Sequence, residues 1–146
     1  MKVRIKRLSK DAVVPRKTHK TDAGFDLYCT ETSIDWAKQE LLCHTGLAFE
    51  IPEGHAGLIF PRSSIANKPL MLHNSAGVID SDYRGEVTAK FVITDARELL
   101  QNDGGYHKGE RIAQMIILPY PEIEFEEADD LSDTERGAGG YGSTGR

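Results

Sequence analysis

The sequence predicts an all-β fold, a sandwich or barrel, and three observations carry that expectation. Apolar and polar residues alternate at Val3 and Ile5 and again at Val87, Ala89, Phe91 and Ile93, the period of a strand with one buried face. Runs rich in β-branched and aromatic residues recur along the whole chain, separated at short intervals by Gly, Pro, Asn and Asp. No segment has the length of a principal helix.

The elements follow in order. GFDLYCT, LLCHTGLAFEI, HAGLIF, LMLHNSAGVI, GEVTAKFVIT and RIAQMIILPY read as strands. TDARELLQN and the short RSSIANK stretch predict single helical turns. The segment from Asp80 to Gly85 lies between two apolar runs and reads as a hairpin connection, with Gly85 free to take positive φ. Trp36 is expected to pack in a core or interface. After Pro119 and Pro121 the apolar pattern fades into an acidic stretch. The chain then runs into RGAGGYGSTGR, too poor in apolar residues to order without a ligand or partner. The expected division is a β domain over residues 1–121, an acidic linker over 122–135 and a Gly-rich arm over 136–146.

Composition narrows the functional classes. With 39% hydrophobic and 28% charged residues in 146, one soluble globular domain is expected. A net charge of -5 argues against a general nucleic-acid binder, which needs cations to displace counterions. An anionic ligand would therefore need a local cluster of cations. Cys29 and Cys43 are too few for a disulfide framework and lack zinc-ligand spacing, which fits a reducing compartment. The five histidines show no ligand spacing and read as surface or hydrogen-bonded structural groups. The start MKVRIKRLSK has no apolar signal core and no segment approaches the roughly 20 apolar residues of a membrane span. A cytoplasmic protein is expected, or one in the host cytoplasm if the source is viral.

Five segments concentrate the residue types that phosphate and nucleobase chemistry require. PRSS sets the Arg62 guanidinium beside the Ser63 and Ser64 hydroxyls, a combination that can grip phosphate, although taken alone the string reads first as a strand-ending turn capped by Ser. NSAGVIDSDYRGEV holds Asp80 and Asp82 two apart, on one face if the chain is extended there. A carboxylate is ionised at neutral pH and can accept a proton from water. GERIAQMI places the amide of Gln114 among apolar neighbours, where it needs partners. RGAGGYGSTG contains a GxGxxG, but no strand precedes it and no helix follows, so the dinucleotide-turn reading fails. AGFDLY, with Asp26 at a strand edge, is the fifth.

In order, AGFDLY, PRSS, NSAGVIDSDYRGEV, GERIAQMI and RGAGGYGSTG resemble the five motifs of the trimeric dUTPase family, spread over nearly the whole chain. The resemblance implies a β-sandwich or jelly-roll protomer of the β-clip type with a flexible C-terminal arm. It implies hydrolysis of dUTP to dUMP and pyrophosphate by in-line water attack at the α-phosphorus, which supplies the dTMP precursor and limits uracil incorporation into DNA. Asp80 would orient and deprotonate the water. Arg62, Ser63 and Ser64 would contact phosphate, and Gln114 would contact phosphate or water, a structural hydrogen bond being its alternative. Asn74, Gly77, Val78, Ile79 and Thr88 would form the uracil-reading edge, and Tyr83 would pack under the deoxyribose and reject a 2'-hydroxyl. Arg136, Gly142, Ser143 and Thr144 would close over the phosphates while Tyr141, usually Phe in the family, stacks on the base. Asp26 would act on magnesium indirectly, through water, the Mg2+ being carried by the triphosphate. The partners implied are the dUTP substrate and two further copies of the chain in a homotrimer with shared sites, with no nucleic acid and no membrane.

Two rivals remain open on the residues alone. PRSSIA also resembles the dCTP deaminase branch of the same superfamily, against which the DSDYRG segment and the complete arm weigh. A non-catalytic protein sensing the nucleotide is the other, against which Asp80, Arg62 and Arg136 weigh.

Overall fold

The computed structural model describes residues 1–140. Ten strands carry the fold: β1 (Arg4–Arg7), β2 (Phe25–Tyr28), β3 (Glu31–Asp35), β4 (Glu40–His44), β5 (Leu47–Glu50), β6 (His55–Phe60), β7 (Leu70–Leu72), β8 (Gly77–Ile79), β9 (Thr88–Ile93) and β10 (Arg111–Pro119). One sheet runs β2-β10-β6-β8, a second runs β3-β4-β9-β7, and β1 pairs with β5 as a two-stranded ribbon. Every strand pair is antiparallel. The all-β jelly-roll expectation holds.

The core forms where the inward faces of the strands meet. Along β9 the alternation seen in the sequence is realised, with Ala89, Phe91 and Ile93 buried and Lys90 exposed. Phe91 is completely buried with Leu27, Leu41, Leu47, Ile112 and Met115 in the same cluster. Full burial of one such side chain contributes roughly 1.5–3 kcal/mol. On β10 both Ile112 and Ala113 are buried, because a register shift between Arg111 and Ala113 breaks the two-residue period. Cys29 and Cys43 are free and buried. The Tyr106 ring lies 5.0 Å from that of Phe91 and its hydroxyl has no hydrogen-bond partner among the described residues. Burial pushes the Tyr106 phenol up to about 12.

The two helical expectations land where the sequence put them. TDARELLQN forms helix α1 (Ala96–Gln101), whose N-terminus is capped by the Asp95 side chain accepting from the Glu98 amide at 2.9 Å. RSSIANK forms a 3₁₀ turn over Ser63–Asn67. Among the described residues no helix is long and apolar enough to cross a membrane.

Four expectations are corrected. LLCHTGLAFEI is two strands, β4 and β5, broken at Gly46, whose φ is +65°. LMLHNSAGVI is also two, β7 and β8, in different sheets, because Ser75 takes φ +57° and turns the chain out of the first sheet. The Asp80–Gly85 segment is consequently not a hairpin: β8 pairs with β6 and β9 with β4 and β7, so residues 80–87 cross between sheets. Gly85 is not in the positive-φ region either. What it supplies is space, since a Cβ there would overlap the Tyr83 ring and hydroxyl. Trp36 is 49% exposed at the β3–β4 turn, so it lies outside the core of its own chain.

Candidate active site

The motif residues collect in two separate clefts. The first, about 380 Å³, opens where β2, β10 and the end of β6 adjoin, and is lined by Asp26, Arg62, Ser63, Arg111 and Gln114 with the Thr18–Gly24 loop. The second, about 270 Å³, is lined by Asn74, Gly77, Val78, Ile79 and Thr88, with His73 and Lys90 at its wall. β2 and β8 are the opposite edges of one sheet, three strand spacings or about 14 Å apart.

Asp26 organises the first cleft. Its Oδ1 accepts from Arg62 Nε at 2.8 Å, and its Oδ2 accepts from Arg111 Nη1 at 3.2 Å and from Thr18 Oγ1 at 3.5 Å. The Asp26 side chain is only 14% exposed, so both ion pairs are partly desolvated. Its own amide donates to the Arg16 carbonyl at 2.8 Å, which fixes the strand edge. The β10–β2 register sets Gln114 opposite Asp26, and Gln114 Nε2 donates to the Pro61 carbonyl at 3.0 Å. The buried amide thus finds a main-chain partner in the residue before Arg62. Gly24 makes room for it, because a Cβ there would lie 2.8 Å from Gln114 Oε1. Ser63 and Ser64 are exposed at the start of the 3₁₀ turn, and Arg62 Nη1 reaches Ser64 Oγ at 3.4 Å. This cleft presents two guanidiniums and hydroxyls, the donor set for an anion.

The second cleft is built from a strand edge. Among the described residues β8 pairs with β6 on one side alone, with Val78 exposed and Gly77 buried. A Cβ at Gly77 would stand 3.2 Å from both Asn74 Nδ2 and Ile59 Cβ, so glycine lets the Asn74 amide approach the strand. The wall opposite is charged: Glu40 bridges His73 Nε2 at 3.3 Å and Lys90 Nζ at 3.4 Å.

Asp80 follows β8 directly and is exposed, outside the lining of both clefts, as is Tyr83 at 44% exposure. The Tyr83 hydroxyl donates to the Glu86 carbonyl at 3.0 Å. Arg136 is exposed, and its Nε donates to the nearby Gly139 carbonyl at 2.9 Å, so within one chain it is not brought to Arg62. Tyr141, Gly142, Ser143 and Thr144 lie outside the described residues. Sequence reasoning missed Arg111, three residues before Gln114 in GERIAQMI; the available signal was a cation inside a motif already singled out. Among the described residues no cluster of three or more His, Cys, Asp or Glu side chains could hold a metal ion.

The chain is similar to known proteins over its whole length. The dUTPase family model matches residues 10–145. The chain is 45% identical to the deoxyuridine 5'-triphosphate nucleotidohydrolase of Nautilia profundicola, with all of both chains covered. It is 41% identical to that of a Hydrogenobaculum species over 99% of each chain. The solved dUTPase of Staphylococcus bacteriophage 80alpha with dUPNHPP superposes with a TM-score of 0.85 at 31% identity, covering 99% of both chains. On these grounds the chain belongs to the dUTPase family.

Proposed function

We infer that the chain hydrolyses dUTP to dUMP and pyrophosphate. One observation carries this reading: residues scattered from 26 to 114 gather into one cleft with the donors for a phosphate chain and another with a strand edge able to read a base. Water attacks the α-phosphorus and the bond to the bridging oxygen of the β-phosphate breaks, so pyrophosphate leaves while Asp80 takes the proton of the water. A carboxylate is a weak base, so most of the acceleration comes from positioning and from charge neutralisation on the phosphates.

Arg62, Ser63 and Ser64 are the phosphate contacts of this reading. Gln114 acts by fixing the Pro61–Arg62 main chain. Asn74 with the edge of β8 reads uracil through main-chain amides and carbonyls, which match a base-pairing edge. The Tyr83 ring supports the deoxyribose. Magnesium arrives on the triphosphate, where it neutralises charge on the phosphate oxygens. The residues fit such an ion only with its water shell in place. Asp26 is committed to two guanidiniums and a hydroxyl, which leaves about one lone-pair site of the roughly four on a carboxylate for a metal-bound water.

The two clefts sit at opposite edges of one sheet and Arg136 meets neither, which supports a composite site made by three copies of the chain. In that assembly residues 122–135 act as the linker and 136–146 as the arm, with Arg136, Gly142, Ser143 and Thr144 on phosphate and Tyr141 on the base. The test is incubation of the purified protein with magnesium and each of dUTP, dCTP, dTTP and UTP. dUMP and pyrophosphate from dUTP are expected, and ammonia release from dCTP would place the chain in the deaminase branch instead.

A further inference from the structure

The segment from Asp80 to Val87 crosses between two sheets with no strand partner of its own, so other contacts must hold it. Among the described residues the hydrogen bonds of its first half are local, from the Tyr83 amide to the Asp80 carbonyl at 3.2 Å and from Arg84 Nη1 to the Ser81 carbonyl at 2.6 Å. Its second half is bound to the β4–β5 turn. Glu86 Oε1 accepts the Gly46 amide at 2.7 Å, and Glu86 Oε2 lies 2.9 Å from His44 Nδ1. Gly46 takes φ +65°, and a Cβ there would fall 2.8 Å from that of Ser9. Glycine is thus the residue this turn admits, and its amide points at Glu86. The main chain of Glu86 performs a second task, since its carbonyl accepts the Tyr83 hydroxyl at 3.0 Å while the ring lies against Gly85.

We propose that Glu86 is a positioning residue for sugar discrimination: Gly46 and His44 hold its carboxylate, and its carbonyl then sets the place of the Tyr83 ring. Selectivity for deoxyribose over ribose thus depends on a side chain that never touches the substrate. The proposal rests on the reading that the Tyr83 ring supports the deoxyribose. The segment does not need Glu86 in order to fold, because its end is anchored separately. Thr45 Oγ1 donates to the Val87 carbonyl at 2.6 Å and the Val87 amide donates to the Leu47 carbonyl at 2.9 Å, both in the buried core.

The test compares kcat/KM for dUTP and for UTP, with magnesium, in the full-length protein and in four variants. Glu86→Ala removes both holds on the carboxylate and is expected to lower the dUTP/UTP ratio about 10-fold, a shift of ~1.4 kcal/mol between the two transition states. Glu86→Gln keeps an acceptor for Gly46 and should retain most of the ratio. Tyr83→Phe should lower the ratio in the same direction. The double variant Glu86→Ala/Tyr83→Phe should be no worse than the poorer single one, because both act through one contact. A merely structural role would lower melting temperature and both specificity constants together, leaving the ratio unmoved. If Glu86→Ala fails to fold, His44→Ala, which releases one of the two holds, must still lower the ratio, and an unchanged ratio there overturns the proposal. A parent protein that hydrolyses dUTP and UTP equally overturns the reading of Tyr83 and the proposal with it. A selective parent whose ratio is untouched in folded Glu86→Ala overturns the proposal alone.

Discussion

Arg62, in the turn that follows β6, and Arg111, at the start of β10, divide the two oxygens of Asp26 between them, Nε at 2.8 Å on Oδ1 and Nη1 at 3.2 Å on Oδ2. Without the carboxylate the two guanidiniums would face each other, partly desolvated. Asp26→Ala should therefore destabilise the protein by about 1–3 kcal/mol, the range for hydrogen bonds to charged groups and for stranded partners. It should also raise KM for dUTP as Arg62 loses its orientation. A urea unfolding midpoint lowered at unchanged slope is the expected result. An unaltered midpoint would show that the network contributes nothing to stability.

Asp80 follows β8 in the open, with no salt bridge or side-chain hydrogen bond among the described residues, so its removal disturbs little else. Asp80→Asn should slow turnover by roughly 10²- to 10⁴-fold, the usual contribution of a positioned base, while binding of a non-hydrolysable analogue largely survives. Single-turnover kinetics beside calorimetric binding separate the two effects. Near-normal turnover would move the base to Asp82 or to a metal-bound hydroxide.

Tyr83→Ala deletes the ring that packs on Gly85 and should let UTP in, lowering the dUTP/UTP ratio of specificity constants by about 10-fold or more. A ratio equal to that of the parent would mean that the sugar is recognised elsewhere.

None of residues 136–140 belongs to the core cluster, and the hydrogen bonds given by Arg136 Nε to the Gly139 carbonyl and by the Gly137 amide to Thr134 Oγ1 stay within the segment 134–139. A protein ending at Glu135 should melt like the full chain, within about 0.5 kcal/mol, yet turn over dUTP at least ~10²-fold more slowly once Arg136 and the aromatic at 141 are gone. Melting curves and turnover of the two proteins side by side decide between a closing arm and a structural tail.

The raised phenol of Tyr106 has a consequence at high pH. Its folded value, about 12, lies above the ordinary value of 10.0, so unfolded chains lose this proton first as the pH rises. Its stabilising contribution is intact below pH 10 and declines between 10 and about 12. Tyr106→Phe should flatten that part of the stability curve, and spectrophotometric titration should find one tyrosine ionising after the others.

What the sequence disclosed was local in origin. The β9 alternation and the Asp95-capped turn of α1 are written in adjacent residues, and both appear where expected. LMLHNSAGVI misled because its apolar run continues across Ser75, and only the assembled sheets reveal that Leu72 and Gly77 have partners in different layers. β3 was overlooked since ETSID is polar and almost wholly exposed at the edge of its sheet. The sharing of Asp26 by Arg62 and Arg111 was not legible in the sequence. Arg111 is 85 positions from Asp26 in the chain, and only the β10–β2 pairing brings them together. Gly85 was assigned the wrong virtue, backbone freedom, where its lack of a side chain is what counts.

The one-sided pairing of β8 carries a hazard as well as a use. A bare strand edge offers its amides and carbonyls to any extended peptide, and proteins ordinarily blunt such edges with charge, proline or a covering segment. Here the margin is Gly77, Val78 and Ile79, three residues without a charge among them. Nucleotide held along that margin would occupy the same groups that an unfolded neighbour seeks. Solutions starved of ligand should therefore cloud sooner on gentle heating than solutions saturated with it, beyond what any rise in melting temperature accounts for.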